Sequence, residues 1–170
     1  MKQPALFIGR FQPFHNGHLL AIKKILSKEK YLYIVVGSAQ SGYTPKNPFT
    51  TAERIVMLQR VLEQLDVPCS RYLIIPVPDV HNFTLWVNHV KQYVPPFGVV
   101  YTGSETGATL FSKENIAVEK IVLFKKKSHS GTEIRRRIRQ GEEWKSLVPS
   151  VVAEFILEVD GITRLQSLSC

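Results

Sequence analysis

The chain reads as an α/β protein with a parallel sheet, and three features of its 170 residues lead there. Short runs rich in Val, Ile, Leu and Tyr recur at 5–9, 31–37, 72–77, 98–103 and 120–125. Stretches with helical periodicity separate them at 17–27, 51–64, 83–94 and 106–113. Most of the runs close on Gly or Pro. A strand that is apolar without interruption is buried on both faces, the habit of parallel strands covered by crossover helices.

Each element has a local reason. ALFIG opens the sheet, and Pro13 ends its geometry before a helix over 17–27. YLYIVVG is the second strand. The helix over 51–64 begins at a capping box, Thr50 to Glu53, and presents Ile55, Leu58, Val61, Leu62 and Leu65 on one face. YLIIPV follows, then a helix over 83–94 whose Phe83, Trp86, Val87, Val90, Tyr93 and Val94 share a face, so that pattern alone makes Trp86 a core aromatic. GVVYTG, the helix over 106–113 and the apolar run at 120–125 complete the alternation. A second capping box, Ser130 to Glu133, starts another helix, and 149–159 and 162–168 form a C-terminal helical cap with a structural role. Residues 1–140 read as the sheet domain, with 141–170 packed on it in a single domain.

Right-handed crossovers turn this order into a doubly wound, Rossmann-like sheet. Ligands of such sheets bind beyond the carboxyl ends of the strands, so the loops after Gly9, Gly37, Val77, Gly103 and Lys125 are expected to converge.

Composition narrows the class. At 44% hydrophobic residues the chain can bury roughly two thirds of its unfolded surface without a staple. Cys69 and Cys170 make neither a disulfide framework nor a metal quartet. A lone basic Lys2 before a short strand does not resemble a signal peptide, and no apolar stretch reaches the ~20 residues of a membrane span. A reducing cytoplasm is the expected location. The net charge of +8 suits nucleic acid, an anionic membrane surface or phosphorylated small molecules, and it concentrates in KKKSHSGTEIRRRIRQ (125–140).

Two loops carry the chemistry. After the first strand stands GRFQPFHNGH, not the dinucleotide fingerprint G-x-G-x-x-G, which argues against a nicotinamide-dependent oxidoreductase. Gly17 permits close backbone approach, and His18 falls in the first helical turn, where unpaired N–H groups and the helix dipole favour an anion. Zinc would need a third ligand and none is evident nearby, so phosphate is favoured over metal or bystander histidines. In SGTEIRRRIR, Ser130, Thr132 and the adjoining backbone N–H groups form a second anion-binding helix terminus. At ~100° per residue, Ile134 and Ile138 face the core; Arg135 flanks them as the phosphate clamp, Arg136 sits at the rim and Arg137 is surface charge. Two such termini suggest a triphosphate held from two sides.

GRFQPFHNGH, GSAQ, NPFTTAER, PVPD, LWV, PPF and SGTEIRRR, in this order, resemble the archaeal-type nicotinamide-nucleotide adenylyltransferases of the H-x-G-H nucleotidyltransferase superfamily. The resemblance implies transfer of AMP from ATP to nicotinamide mononucleotide (NMN), giving NAD and pyrophosphate, with Mg2+ carried by the ATP phosphates and water and no protein metal ligands. It implies a homo-oligomer, a hexamer among the options, no stable nucleic-acid binding and no membrane. The attacking phosphate oxygen is already anionic, so no general base or covalent nucleophile is needed.

By the same resemblance His15, His18, Arg10, Lys46 and Arg135 are catalytic. ATP would be bound by Gly9, Arg10, Phe11, His15, Gly17, His18, Gly103, Ser130, Gly131, Thr132, Arg135 and Arg136. Gly37, Ser38, Ala39, Gln40, Asp79, Asn82 and Trp86 would bind NMN, with Trp86 stacked on the pyridinium ring. Lys46 stands where relatives often carry arginine, and Ser104 where they carry asparagine. His81 and His89 are read as polar surface, His129 as bordering the phosphate site, and Glu53 as explained by its capping box, with Arg54 a further candidate. Alternatives are a superfamily member using nicotinate mononucleotide or pantetheine phosphate as acceptor, and a non-enzymatic nucleotide- or RNA-binding module. The length leaves no room for the Nudix hydrolase fused in some relatives.

Overall fold

The computed structural model of the chain describes residues 3–80, 82–121 and 130–168. Its five strands, β1 (Ala5–Gly9), β2 (Leu32–Val36), β3 (Tyr72–Pro76), β4 (Val99–Thr102) and β5 (Ala117–Lys120), form one parallel sheet in the order β3-β2-β1-β4-β5. The chain winds outward from β1 to β3, returns to the far side of β1 and winds outward again. This reversal between β1 and β4 makes the sheet doubly wound. The helices are α1 (Asn16–Lys28), α2 (Thr51–Gln64), α3 (Phe83–Tyr93), α4 (Glu105–Lys113), α5 (Gly131–Gln140), α6 (Ser150–Glu158) and α7 (Gly161–Ser167).

The fifth strand corrects the expectation of 120–125. β5 pairs with β4 from Val99↔Ala117 to Thr102↔Lys120, and the Ile121 N–H donates to the Thr102 carbonyl at 3.0 Å. An edge strand in which only Val118 is half-buried and Ala117, Glu119 and Lys120 are exposed, it carries little apolar signal, so the more apolar run after it gave the louder signal. Residues 122–125 of that run lie outside the described residues, as do His81, His129, Cys170 and the lysines of KKK.

The residues group into two compact units. The first comprises 1–10, 21–40 and 68–122 and contains the whole sheet. On one face Leu6, Tyr33, Val35, Ile75 and Val100 pack with Val87, Val90 and Val94 from α3 and its end and with Phe111 of α4. The residues of opposite parity, Ala5, Phe7, Leu32, Ile34 and Tyr101, are buried too, as are Ile22 and Ile25 of α1. Burial on both faces accounts for the uninterrupted apolar runs.

The second unit comprises 11–20, 41–67 and 123–170. Here α2 packs on α6, and α7 on α5 and α6. The capping box of α2 is present in full. Its buried stripe is Arg54, Met57, Leu58, Val61 and Leu62, with Ile55 and Leu65 only half-buried. Arg54 is admitted because its guanidinium bonds the Thr50 carbonyl at 3.2 Å and the Thr51 hydroxyl at 2.9 Å. Among the described residues no helix is long and apolar enough to cross a membrane.

Candidate active site

In the first unit the carboxyl ends of the strands surround a cavity of about 480 Å³, placed at the reversal of strand order where such sheets bind ligands. β1 contributes Ile8 and Gly9, and Arg10 follows it; the loop after β2 contributes Gly37 and Ser38; the loop after β3 contributes Val77, Pro78 and Asp79. Thr102, Ser104 and Gly107 line it from the β4–α4 side, and Phe83, Trp86 and Val90 from α3. Ser38 holds a left-handed backbone, φ 51°.

Several expected acceptor-binding residues act here on one another. The Gln40 amide accepts from the Asp79 N–H at 2.9 Å and donates to the Asp79 carboxylate at 3.4 Å, tying the GSAQ turn to the PVPD loop. The Ala39 N–H reaches the Val77 carbonyl at 3.1 Å. Asn82 is the N-cap of α3, accepting from the Thr84 N–H at 2.9 Å, and Phe83 lines the cavity beside it. Trp86 meets Phe111 edge-on at 5.2 Å and also lines the cavity, so it is both a core aromatic and a wall. Ser104 caps α4 through the Gly107 N–H at 3.1 Å, a helix-starting use for the unexpected residue at that position. His89, half-buried, bonds the Pro78 carbonyl at 2.8 Å and so braces the cavity rim.

In the second unit the histidine loop and the start of α5 meet. The rings of His15 and His18 stack at 3.6 Å, with Phe11 and Phe14 against His18 at 4.7 and 5.4 Å. The His15 N–H points to Nδ1 of His18 at 3.3 Å and the His18 N–H to Nδ1 of His15 at 3.4 Å. An Nδ1 that accepts leaves a neutral ring's proton on Nε2, so each ring, when neutral, is set as an Nε2–H donor. Burial, and secondarily the neighbouring His15, holds the His18 pKa well below its ordinary value, so it stays neutral at pH 7.

Gln12 is the junction, and sequence reasoning passed over it. Its buried amide pairs with both backbone groups of Phe49, donating to the carbonyl at 2.7 Å and accepting from the N–H at 3.0 Å. Its own carbonyl accepts from Nη1 of buried Arg135 at 2.6 Å. Gly131 stands against the same carbonyl: a Cβ there would lie 2.7 Å from the oxygen. The first turn of α5 is thereby set three residues from His15. Ser130 caps the helix through the Glu133 N–H at 3.2 Å, and Arg135 also reaches the Thr132 hydroxyl at 3.3 Å. Nothing in the local pattern marks a glutamine whose partners lie 37 and 123 residues away.

The remaining arginines are engaged. Glu133 directs its carboxylate to Arg136 and Arg137, which hold its pKa down to about 2, so of the second capping box the serine half forms. Arg136 also binds Glu142 at 2.8 Å and contacts Gln140. Arg137, half-buried and bonded also to the Glu143 carbonyl at 3.1 Å, is more than surface charge. Lys46 is exposed at the tip of a tight turn closed by the Thr44 and Asn47 backbones at 3.1 and 3.2 Å, with Arg139 on the Pro45 carbonyl at 2.7 Å. From α7, Arg164 binds Glu53 through both nitrogens at 2.7 and 2.8 Å and lies over the Tyr43 ring at 4.5 Å. Glu53 therefore does more than cap, and α7 braces the segment that carries Lys46. Among the described residues no three His, Cys, Asp or Glu gather as metal ligands.

The family model described as Cytidylyltransferase-like matches residues 6–137. A Thermococcus kodakarensis protein named nicotinamide-nucleotide adenylyltransferase is 45% identical over 169 residues, 99% of this chain and 90% of its own. Proteins of the same name from Pyrococcus horikoshii and Archaeoglobus fulgidus are 46% and 41% identical, over 96% and 97% of this chain and 88% and 97% of theirs. The solved structure of a bifunctional NMN adenylyltransferase/ADP ribose pyrophosphatase from Francisella tularensis is similar with a TM-score of 0.78 at 21% identity. That match covers 98% of this chain and 53% of the other, so the chain spans about half of its length. A second structure from that organism, of a bifunctional protein of the same description complexed with AMP and an Mn ion, gives 0.76 at 23%, over 98% and 52%. At these identities the two structures speak to the fold.

Proposed function

The chain belongs to the nicotinamide-nucleotide adenylyltransferases, within the Cytidylyltransferase-like family, and we propose how its residues carry the adenylyl transfer from ATP to NMN that makes NAD and pyrophosphate. The 5′-phosphate oxygen of NMN attacks the α-phosphorus of ATP. A new P–O bond forms, the bond from the α-phosphorus to the bridging oxygen breaks, and its electrons leave with pyrophosphate. No proton has to be removed from the nucleophile, so catalysis is alignment and charge stabilisation.

Alignment of two bound nucleotides can contribute ~7–11 kcal/mol, and one preorganised donor to developing charge ~3–4 kcal/mol. In this reading the Nε2–H groups of His15 and His18 bind the triphosphate, and Ser130, Gly131, Thr132 and Arg135 bind it at the α5 terminus, with Gly17 giving room. Arg10 and Lys46 add charge. Gly9, Phe11, Gly103 and Arg136 take supporting places along the ATP. The cavity formed by Gly37, Ser38, Asp79 and Trp86 takes NMN, with Ala39, Gln40 and Asn82 shaping its rim. ATP enters as its complex with a divalent ion, for which we take Mg2+; the ion keeps water and phosphate oxygens as ligands.

The observation that carries this reading is the meeting of Arg135 and Gly131 with the Gln12 carbonyl, which joins the two motifs expected to hold one triphosphate. The test is to incubate the purified protein with ATP, Mg2+ and NMN and to measure NAD through its reduction by alcohol dehydrogenase. NAD and pyrophosphate are expected in equal amounts. A folded protein that forms no NAD, or that prefers nicotinate mononucleotide or pantetheine phosphate in a side-by-side rate comparison, overturns the assignment.

A further inference from the structure

Phe83 is the most exposed large apolar side chain among the described residues, at 72%, yet it lies on the cavity wall and not on a bare surface. It is the first residue of α3, fixed by the Asn82 cap. Phe83, Trp86 and Val90 all line the cavity, and their i, i+3, i+7 spacing puts them on one helix face. Residues three apart on a helix have Cβ atoms about 5–6 Å apart, so the two rings project as neighbours into one space. Trp86 is fixed from behind by Phe111 and the sheet core, whereas Phe83 is left in water. Asp79 on the same wall adds negative charge.

We infer that Phe83 is a specificity-determining residue for the acceptor, closing with Trp86 an aromatic slot that prefers a flat cationic ring. The inference rests on the reading that this cavity holds NMN. The pyridinium of NMN is such a ring; the dihydropyridine of reduced NMN is neutral and puckers more readily. A cation over an aromatic face is favoured by a factor of about 2 to 30 in affinity, depending on how dry the site is. Covering Phe83 also removes its apolar surface from water.

The experiment uses Phe83→Ala, Phe83→Leu, Phe83→Tyr and, as control of the cavity assignment, Trp86→Ala. NMN and reduced NMN are titrated by calorimetry, and the Michaelis constants for NMN and ATP are measured with each variant. Phe83→Ala and Phe83→Leu are expected to weaken NMN about 5- to 10-fold, to raise its Michaelis constant more than that of ATP, and to shrink the preference for NMN over reduced NMN. Phe83→Tyr is expected to restore both. Thermal melting checks that the fold is intact, as an exposed side chain predicts. Loss of NMN affinity in Trp86→Ala with none in Phe83→Ala overturns the role of Phe83 and leaves the cavity assignment standing. No effect in either variant overturns the cavity assignment itself. Full affinity in Phe83→Leu overturns the aromatic requirement.

Discussion

Gly131→Ala separates positioning from stability. The added Cβ would stand 2.7 Å from the Gln12 oxygen, 3.3 Å from its carbonyl carbon and 3.1 Å from Nη1 of Arg135. Ordinary van der Waals contact begins near 3.4 Å, so the first turn of α5 and the histidine loop must part by roughly 0.7 Å. The neighbour is backbone and cannot swing aside as a flexible side chain would. Either the helix start moves or the carbonyl turns away from Arg135 and loosens the 2.6 Å bond. Both displace Ser130 and Thr132 relative to His15 and His18, and a misplacement near 1 Å can cost about 10²-fold in rate. We expect kcat/KM for ATP to fall about 10- to 100-fold. Stability should move little, because alanine is a better helix former than glycine by up to ~1 kcal/mol and offsets part of the strain. Gly141→Ala is the converse control. Its left-handed φ of 69° disfavours a side chain, yet no atom stands within 4 Å, so about 1 kcal/mol of stability should be lost with activity kept. Initial rates of NAD formation at varied ATP, with thermal melts of both variants, decide the matter. Wild-type kcat/KM in Gly131→Ala would refute the reasoning.

Three further outcomes follow from the second unit. His18→Ala should lose two to three orders of magnitude in turnover, about the effect of removing one preorganised donor, with an unchanged circular dichroism spectrum; near-normal turnover would remove His18 from the mechanism. Arg164→Ala leaves Glu53 without its partner in a site where the two side chains are 13% and 15% exposed, so about 1–3 kcal/mol of stability should go, a drop of several degrees in Tm by calorimetry. The pH dependence of stability has a definite sign. The folded pKa of His18 lies below the ~6.5 of the unfolded chain, so the unfolded state binds more protons as pH falls below 6.5. The stabilisation is whole above that pH and is lost below it. Melting temperatures should therefore fall from pH 6.5 to 5 more steeply for the wild type than for His18→Gln, and parallel curves would contradict the half-buried, neutral imidazole.

The strands β1 to β4 and the helices were legible because one physical cause, burial on both sheet faces or on one helix face, repeats along each element. β5 was not: as an exposed edge strand it has no apolar face to advertise, while the neighbouring IVLF run does. The same reason explains Arg54, whose backbone acceptors let a cation lie in an apolar stripe, so that the face drawn from apolar residues alone came out rotated. In the candidate site, His15, His18 and Ser130 were visible because anion binding at a helix start has local rules. Gln12 and Arg164 were invisible because their work is done on Phe49, Arg135 and Glu53, partners brought near only by the fold. Phe83 was visible as an apolar residue at helical spacing, which assigned it to the core; only the structure leaves it in water at the cavity wall.

The basic run that gives the chain much of its charge takes a different meaning once its described members are followed to their partners. An open cationic stripe would bind phosphate backbones nonspecifically, with affinity falling steeply in salt. Here Arg136 and Arg137 pair with Glu133, and Arg136 also with Glu142. Arg139 holds the Pro45 carbonyl at the base of the Lys46 turn, and Arg135 holds the Gln12 carbonyl beneath the histidines. Guanidinium forks of this kind serve as fixed struts, because their donors are planar and always charged. A helix so anchored presents its first turn at one place, which is what binding a triphosphate in a single reactive geometry demands and what sliding along a nucleic acid does not. The four described arginines of the run, Arg135, Arg136, Arg137 and Arg139, are thus each engaged by groups of the protein itself, so their count in the composition overstates the open positive charge they offer.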